Sequence, residues 1–174
     1  MEYTFHCDSP LGGITMASDG EAITGLRFDG QEHLTGKAEH ECEVNPLPVF
    51  EEAVKWLDIY FSGKDPGFTP ALSPEGTSFR KAVWDILLTI PFGETVTYGE
   101  IAAVIAKQNE LGRMSAQAVG GAVGSNPIAL IIPCHRVIGA DGSLTGYAGG
   151  IDRKARLLRM EREGSTESDM EIIK

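Results

Sequence analysis

Hydrophobic and polar residues alternate along three short stretches between Tyr3 and Asp29, near the amino terminus. Turn-forming residues at positions 9–13 and 19–20 separate these stretches. Alternation with a period of two is typical of strands that bury one face, because successive side chains point to opposite sides of a sheet. The opening of the chain therefore predicts three short strands, paired as an antiparallel sheet.

The hydrophobic spacing changes to three or four over residues 49–61, which predicts an amphipathic helix. Gly63 and Pro66 end this pattern. An acidic connector at 30–47 precedes the helix, and a proline-rich, glycine-punctuated segment at 67–76 follows it. Because the latter segment has little periodicity, we interpret it as a linker between two domains.

Three further helices are predicted beyond the linker, each with a start signal in the sequence. The first covers residues 78–90, with Thr77 or Ser78 as its cap and a Pro-Phe-Gly sequence as its end. A capping box at 97–100 begins a second helix, which runs to about Lys107. Ser115 caps a third, which ends near Gly124. Two short helices joined by a compact turn indicate a helix-turn-helix unit.

Charge is distributed unevenly across the predicted linker. The 174-residue chain has a formal net charge of −10. Residues 1–76 contain 4 Lys/Arg and 14 Asp/Glu, whereas residues 77–174 contain 11 of each. We therefore predict two domains with these bounds and with different functions.

Composition excludes several classes of protein. An apolar content of 42% argues against a wholly disordered chain. No apolar run approaches the roughly 18 residues of a membrane span, and the first residues do not form a signal peptide. Three cysteines at unrelated spacings predict no disulfide framework, so we expect a cytoplasmic location. The histidines and cysteines of the first domain match no standard zinc-ligand spacing, and we predict no metal. They are His6, Cys7, His33, His40 and Cys42.

Candidate chemistry concentrates at residues 131–138, where Pro133 precedes Cys134, His135 and Arg136. Proline and the β-branched pair before it favour extended backbone, so we expect Cys134 where a strand gives way to a turn. The thiolate is the nucleophilic form of cysteine, and a free thiol has a pKa of about 8.5. Arg136 or a protonated His135 would lower that pKa, and the histidine can also accept the proton. An isolated cysteine here is equally typical of a small buried hydrophobe.

Several motifs around Cys134 resemble those of the O6-alkylguanine-DNA alkyltransferases, proteins that remove alkyl groups from guanine in DNA. The resemblance is strong from about residue 78 to 163. It implies an α/β fold in which a small ribonuclease-H-like domain, an antiparallel sheet plus a helix, precedes a mostly helical, winged-helix-like domain with a helix-turn-helix. The matching segments are 92–98, 116–122, 125–127, 133–137 and 139–150.

The resemblance implies five catalytic residues. Cys134 would attack the alkyl carbon, and His135 would serve as its base. Glu161, 27 residues past the cysteine, would orient the histidine. Asn126 would brace the active-site turn, and Tyr98 would lie beside the flipped nucleotide and donate a proton. On the residues alone, Glu161 is equally typical of a helix-surface charge, Asn126 of a turn, and Tyr98 of packing in a first helical turn.

The same resemblance implies a pocket for the flipped base. Tyr98 and Tyr147 would offer aromatic planes, and Val137 an apolar wall that keeps out water. Gly149 would let backbone amides approach the guanine. Ala148 stands where some members have serine, so a backbone amide would have to replace that side chain.

The third predicted helix is unusual for a DNA reader, since small residues dominate it. A smooth helix suits the minor groove and binding without sequence preference. The resemblance implies DNA contacts from Ser115, Gln117, Ala118, Gly121 and Arg136. Gln117 is a departure, because the family has an arginine there that fills the space of the flipped base.

The resemblance implies one-use transfer of an alkyl group from O6-alkylguanine, with alkylated thymine as an open second substrate. The expected partner is double-stranded DNA containing alkylated guanine, bound by a monomer without cofactor or membrane. The balanced charge of the second domain predicts modest non-specific affinity. A DNA-binding protein without chemistry is the first alternative, although Cys134 argues against it. A cysteine hydrolase is the second, and adjacent Cys-His supports it poorly.

Overall fold

The computed structural model describes residues 2–30, 47–110 and 112–164. Residues 31–46 of the predicted acidic connector, which include three of the zinc candidates, His33, His40 and Cys42, lie outside the described residues. The helices are α1 (Pro48–Phe61), α2 (Ser78–Leu87), α3 (Tyr98–Gln108), α4 (Ala116–Gly124) and α5 (Ile151–Glu163). The strands are β1 (Tyr3–Ser9), β2 (Gly12–Ser18), β3 (Ile23–Phe28), β4 (Val96–Thr97) and β5 (Val137–Ile138), and a short 3-10 helix covers Cys134–Arg136.

The three predicted strands form an antiparallel sheet in the order β1-β2-β3, which confirms the prediction. Ile14 and Met16 of β2, together with Leu26 and Phe28 of β3, are completely or almost completely buried. Each such side chain contributes about 1.5–3 kcal/mol by leaving water. Helix α1 covers this face with its own apolar stripe, and Phe50 stacks on a ring of β1.

The segment predicted as a linker is partly ordered against the sheet. The backbone N–H of Ile23 donates to the carbonyl of Ala71 at 2.8 Å, and that of Ser73 donates back to Ile23 at 2.8 Å. Residues 71–73 therefore lie along the edge of β3 instead of crossing freely between domains. Sequence periodicity missed this contact because one bridging residue produces no repeating pattern.

Hydroxyl caps start α2, α3 and α4 at the predicted positions. Thr77 accepts a hydrogen bond from Arg80 N, and Thr97 accepts one from Glu100 N. Ser115 accepts from the first amides of α4. The first of these helices was predicted to reach residue 90, but α2 ends at Leu87. Residues 88–90 continue as tighter turns, in which Thr89 N bonds to Ile86 O.

The apolar run before Cys134 is a tight turn, so the predicted strand there is wrong. Leu130 has a φ of 68°, a left-handed conformation that no strand accommodates. The N–H of Ile132 donates to Ile128 O at 3.1 Å, which closes the turn. Burial explains the hydrophobic run, since residues 128–132 are all buried among both halves of the molecule.

Strand β3 joins the two halves of the chain directly. Leu26 N donates to Pro127 O at 2.9 Å, and Ala129 N donates to Leu26 O at 3.0 Å. Arg153 of α5 donates to Leu11 O at 3.0 Å and lies 4.6 Å over the ring of Phe28. One continuous core therefore supports the segment that carries Cys134. Within the described residues, no helix is both long and apolar enough to cross a membrane.

Candidate active site

Cys134 opens the 3-10 helix and is buried, with 7% of its surface exposed. Its N–H donates to Ile132 O at 2.8 Å. Asn126 closes the same turn from the other side, since its Nδ2 donates to Ile132 O at 2.8 Å and its Oδ1 accepts from Ile128 N at 3.0 Å. The amide thus satisfies buried backbone groups that would otherwise be costly. The position of the sulfur depends on this turn.

Glu161 of α5 is buried and bonds to four groups, one of which is the hydroxyl of Tyr60. Its Oε2 is hydrogen-bonded to His135 Nε2. Its Oε1 accepts from Arg136 Nε at 2.7 Å and from Gly93 N at 3.1 Å. Burial alone would raise the pKa of this carboxyl, but the hydrogen bond from His135 and the guanidinium of Arg136 lower the pKa to about 2. Glu161 is therefore a permanent carboxylate at neutral pH.

His135 is fully buried, and burial lowers its pKa although the neighbouring carboxylate opposes that effect. The imidazole is therefore neutral near pH 7. Its Nδ1 is buried and has no partner among the described residues. The Glu161 carboxylate can only accept a hydrogen bond, so the atom that faces it, His135 Nε2, carries the imidazole proton. Nδ1 then keeps a free lone pair. This arrangement gives a base that is oriented and unprotonated.

Burial raises the pKa of the Cys134 thiol, and the hydrogen bond from Asn126 and the charge of Lys154 offset this only in part. The thiol is therefore neutral at neutral pH and has to lose its proton to a base. The expectation that Arg136 or a protonated His135 lowers this pKa is wrong. Arg136 is engaged by Glu161, and His135 is uncharged.

Arg136 was predicted as a DNA contact, and the structure corrects this. The side chain is buried, and its Nη1 donates to Ile90 O at 2.7 Å while Nε holds Glu161. Its guanidinium also lies 5.8 Å from the centre of the Phe92 ring. The 3-10 turn directs the side chain inward, where a cation without its carboxylate partner would be costly.

Three of the residues predicted to surround a flipped base, Tyr98, Tyr147 and Gly149, make contacts near the reactive residues or within the loop that carries them. The Tyr147 ring centre is 6.5 Å from that of His135, and its buried hydroxyl has no partner among the described residues. Tyr98 donates to Thr145 O at 3.1 Å, so α3 holds the loop at its start. A side chain at Gly149 would come within 2.8 Å of Tyr147, which requires glycine there.

The other two predicted pocket residues differ in exposure. Val137 is fully buried in β5, and its backbone pairs with Val96 of β4. Ala148 is exposed on the loop.

Helix α4 exposes the small residues predicted to meet DNA. Ser115, Gln117, Ala118 and Gly121 are all exposed. Gly121 has open space where a side chain would be, whereas Gly120 would place a side chain 3.8 Å from Tyr98. Gly120 thus lies against α3, and Gly121 leaves the outer surface smooth.

Sequence reasoning missed two buried residues of this site. Tyr60 of α1 is fully buried, and its hydroxyl contacts both Glu161 and His135. Lys154 of α5 is 1% exposed, and its Nζ donates to Thr145 O at 2.9 Å. Apolar stripes of helices predicted burial for Tyr60, but no sequence signal linked a residue of α1 to a catalytic pair so far along the chain.

No group of three or more potential metal ligands occurs among residues 2–30, 47–110 and 112–164. His6, one of the zinc candidates, instead bonds to Asp29 at 2.6 Å on the exposed face of the sheet.

Two family models match the chain in succession. Residues 1–74 match the ribonuclease-like domain of 6-O-methylguanine DNA methyltransferase. Residues 78–163 match its DNA binding domain.

Similar proteins and structures agree with these matches. A methylated-DNA–protein-cysteine methyltransferase of Mycobacterium tuberculosis is 47% identical over 156 residues, or 89% of each chain. That of Haemophilus influenzae is 42% identical over 161 residues, or 92% of this chain and 86% of its own. The crystal structure of the Mycobacterium tuberculosis O6-methylguanine methyltransferase has a TM-score of 0.81 at 44% identity, covering 95% of this chain and 96% of its own. Mycobacterium tuberculosis OGT in complex with DNA has a TM-score of 0.77 at 45% identity, covering 97% and 98%. This chain therefore belongs to the 6-O-methylguanine DNA methyltransferase family.

Proposed function

We propose that this protein repairs DNA by direct reversal, moving the alkyl group of O6-alkylguanine onto the sulfur of Cys134. Membership of the methyltransferase family makes alkyl transfer in DNA repair its reaction. The buried thiol next to a neutral, oriented imidazole is the observation that carries the assignment of the acceptor. A DNA-binding protein without chemistry would have no use for this arrangement.

The reaction follows from the protonation states of the site. His135 Nδ1 takes the proton of the Cys134 thiol, directly or through one water molecule. The thiolate then attacks the alkyl carbon in line, so that a sulfur–carbon bond forms as the bond to guanine O6 breaks. Guanine leaves as an anion and accepts a proton, for which the Tyr98 hydroxyl is the candidate donor. The thioether product has no good leaving group, so each molecule reacts once.

Glu161 and Asn126 support this step without touching the alkyl group. The carboxylate holds the Nε2–H tautomer and stabilises the imidazolium that forms when the thiol is deprotonated. Asn126 fixes the turn and donates toward the sulfur, which favours the thiolate. No cofactor is needed, because the thiol supplies the electron pair and the substrate supplies the leaving group.

Duplex DNA containing alkylated guanine is the proposed partner, and α4 is the proposed contact surface. Ser115, Gln117, Ala118 and Gly121 expose little bulk there, which suits the minor groove. The target base has to leave the stack, because the alkyl carbon is out of reach inside the duplex. Gln117 would occupy the vacated space, and Tyr147, Ala148, Gly149 and Val137 would surround the extruded base. We also propose a monomer that acts in the cytoplasm, with a domain boundary at residues 76–77.

An intact-mass measurement tests the proposal. The protein is mixed with O6-benzylguanine, and the mass of the product is recorded. We expect one added benzyl group, located on Cys134 by peptide mapping. An unchanged mass, or an adduct on Cys7, would contradict the proposal.

A further inference from the structure

Tyr60 belongs to α1, yet its hydroxyl lies in the hydrogen-bond network of residues far along the chain. It donates to Glu161 Oε2 at 2.6 Å and lies 3.2 Å from His135 Nε2. The mechanism above assigns this hydroxyl no part. A buried polar group that contacts both members of a catalytic pair needs an explanation beyond packing.

The protons of this cluster can be counted. Tyr60 has one hydroxyl proton, and Glu161 is a carboxylate that can only accept. With that proton given to Glu161, the tyrosine oxygen can only accept from His135 Nε2. Both neighbours of Nε2 therefore require it to be the donor. Nδ1 is then left as the proton acceptor that faces away from Glu161.

The ring of Tyr60 is held rigidly, so the hydroxyl has a fixed position. It stacks on Trp56 with ring centres 5.0 Å apart and an interplanar angle of 11°. Its edge contacts the rings of Phe61, Phe92 and His135. Burial and the nearby Glu161 charge raise the pKa of Tyr60 well above its usual value, so the hydroxyl keeps its proton.

We propose that Tyr60 is a positioning residue for alkyl transfer, whose hydroxyl aligns the carboxylate of Glu161 with the imidazole of His135. The amino-terminal half then completes the active site instead of only supporting it. This inference rests on the proposed function, since it assigns Tyr60 a role in the reaction of Cys134.

The hydroxyl also changes how strongly Glu161 acts on the imidazole. Without it, Oε2 would bond to His135 alone and would stabilise the imidazolium more strongly. The imidazole would then hold its proton to a higher pH and would be a poorly aligned base. Removal of the Tyr60 hydroxyl leaves the other titratable or charged groups around His135 unchanged. These groups are Cys134, Arg136, Tyr147, Lys154 and Glu161.

Tyr60→Phe tests the inference, because it keeps the ring and removes only the hydroxyl. Single-turnover rates are measured from about pH 5 to pH 9 with O6-benzylguanine and with duplex DNA containing O6-methylguanine. We expect the rate at neutral pH to fall about tenfold, by the same factor for both substrates. The acid limb of the pH–rate profile should move to higher pH.

Tyr3→Phe is the matched control. It removes a tyrosine hydroxyl from β1, where the ring lies beside Gly20, and should leave rate and pH profile unchanged. Thermal unfolding of both variants separates lost stability from lost alignment.

Two results would overturn the inference. One is a Tyr60→Phe rate within about twofold of wild type, and the other is a lower rate with an unmoved pH profile. Should Tyr60→Phe fail to fold, NMR of 15N-histidine-labelled wild type decides, because a neutral His135 protonated on Nδ1 contradicts the proposed alignment. Wild type that never gains an alkyl group would instead contradict the proposed function.

Discussion

The pocket around Cys134 and the outer face of α4 are built on opposite principles. In the pocket, His135, Arg136 and Glu161 are buried and joined by charge-assisted hydrogen bonds. On α4, the exposed residues Gln117, Ala118 and Gly121 are uncharged, and the last two are small. The pocket therefore sets protonation states before any substrate arrives, whereas the helix offers a smooth surface. Chemistry and DNA binding should be separable by substitution.

The largest effect is expected from Cys134→Ser. A hydroxyl is a far weaker nucleophile than a thiolate, so alkyl transfer should become undetectable by intact mass. Binding to an alkylated duplex should stay within about threefold in a gel-shift titration, because the contacts of α4 are unchanged. A serine variant that still removes methyl groups from DNA would show that the nucleophile is a different residue.

Glu161→Gln should reduce the rate about 10²-fold with both free base and duplex, since His135 loses the group that orients it. It also leaves Arg136 buried without its carboxylate, which should cost about 3–5 kcal/mol in the free energy of unfolding. The rate is measured by single turnover, and the stability by denaturant titration. Glu163→Gln is the control, because Glu163 is exposed and its ion pair is with the exposed Arg159 of the same helix. Equal effects of the two substitutions would contradict the proposal that Glu161 orients His135.

Substitutions of Gln117 should change only the reaction with duplex DNA. Gln117→Ala removes the group proposed to fill the vacated stack, so repair of duplex should slow several-fold while the free-base rate stays the same. Gln117→Arg should strengthen duplex binding, and the gain should shrink as salt rises because counterion release drives it. If all three proteins treat duplex and free base alike, Gln117 does not occupy the stack.

The smallest effect concerns acid stability. Folding lowers the pKa of His135, so the unfolded chain takes up this proton first as the pH falls below about 6.5. Folding also lowers the pKa of Glu161 from 4.5 to about 2, so its contribution is complete above about pH 4.5 and is lost as the pH falls toward 2. In both cases the unfolded state binds more protons, and the free energy of unfolding should decrease with falling pH. Urea titrations at a series of pH values should show that the free energy of unfolding decreases less between pH 4.5 and about pH 2 in Glu161→Gln than in wild type. An equal decrease would contradict the assignment.

Local signals in the sequence predicted the elements well. Thr77, Thr97 and Ser115 cap their helices because each hydroxyl accepts a hydrogen bond from a backbone amide two or three residues later. Such an interaction depends only on neighbouring residues, so the sequence predicts it. Residues 128–132 gave the opposite result. Pro133 and the β-branched pair before it predicted extended backbone, but contacts with β3 and Asn126 impose a turn that the local pattern does not encode.

Residues of the site could be predicted from the sequence only where they belong to the motifs shared with the family. Spacing identified Glu161 and adjacency identified His135, whereas the inward orientation of Arg136 depends on the 3-10 turn. Tyr60 and Lys154 were missed because their contacts with this site exist only after both halves have packed together. Non-local contacts of this kind leave no periodic trace in a single sequence.

The ratio of duplex rate to free-base rate tests the separation of pocket and helix most directly. It is measured by single turnover for wild type, Glu161→Gln and Gln117→Ala under one set of conditions. We expect the ratio of wild type to be preserved in Glu161→Gln, where both rates fall together, and to drop several-fold in Gln117→Ala, where only the duplex rate falls. A ratio that changes in Glu161→Gln, or stays constant in Gln117→Ala, would contradict the separation.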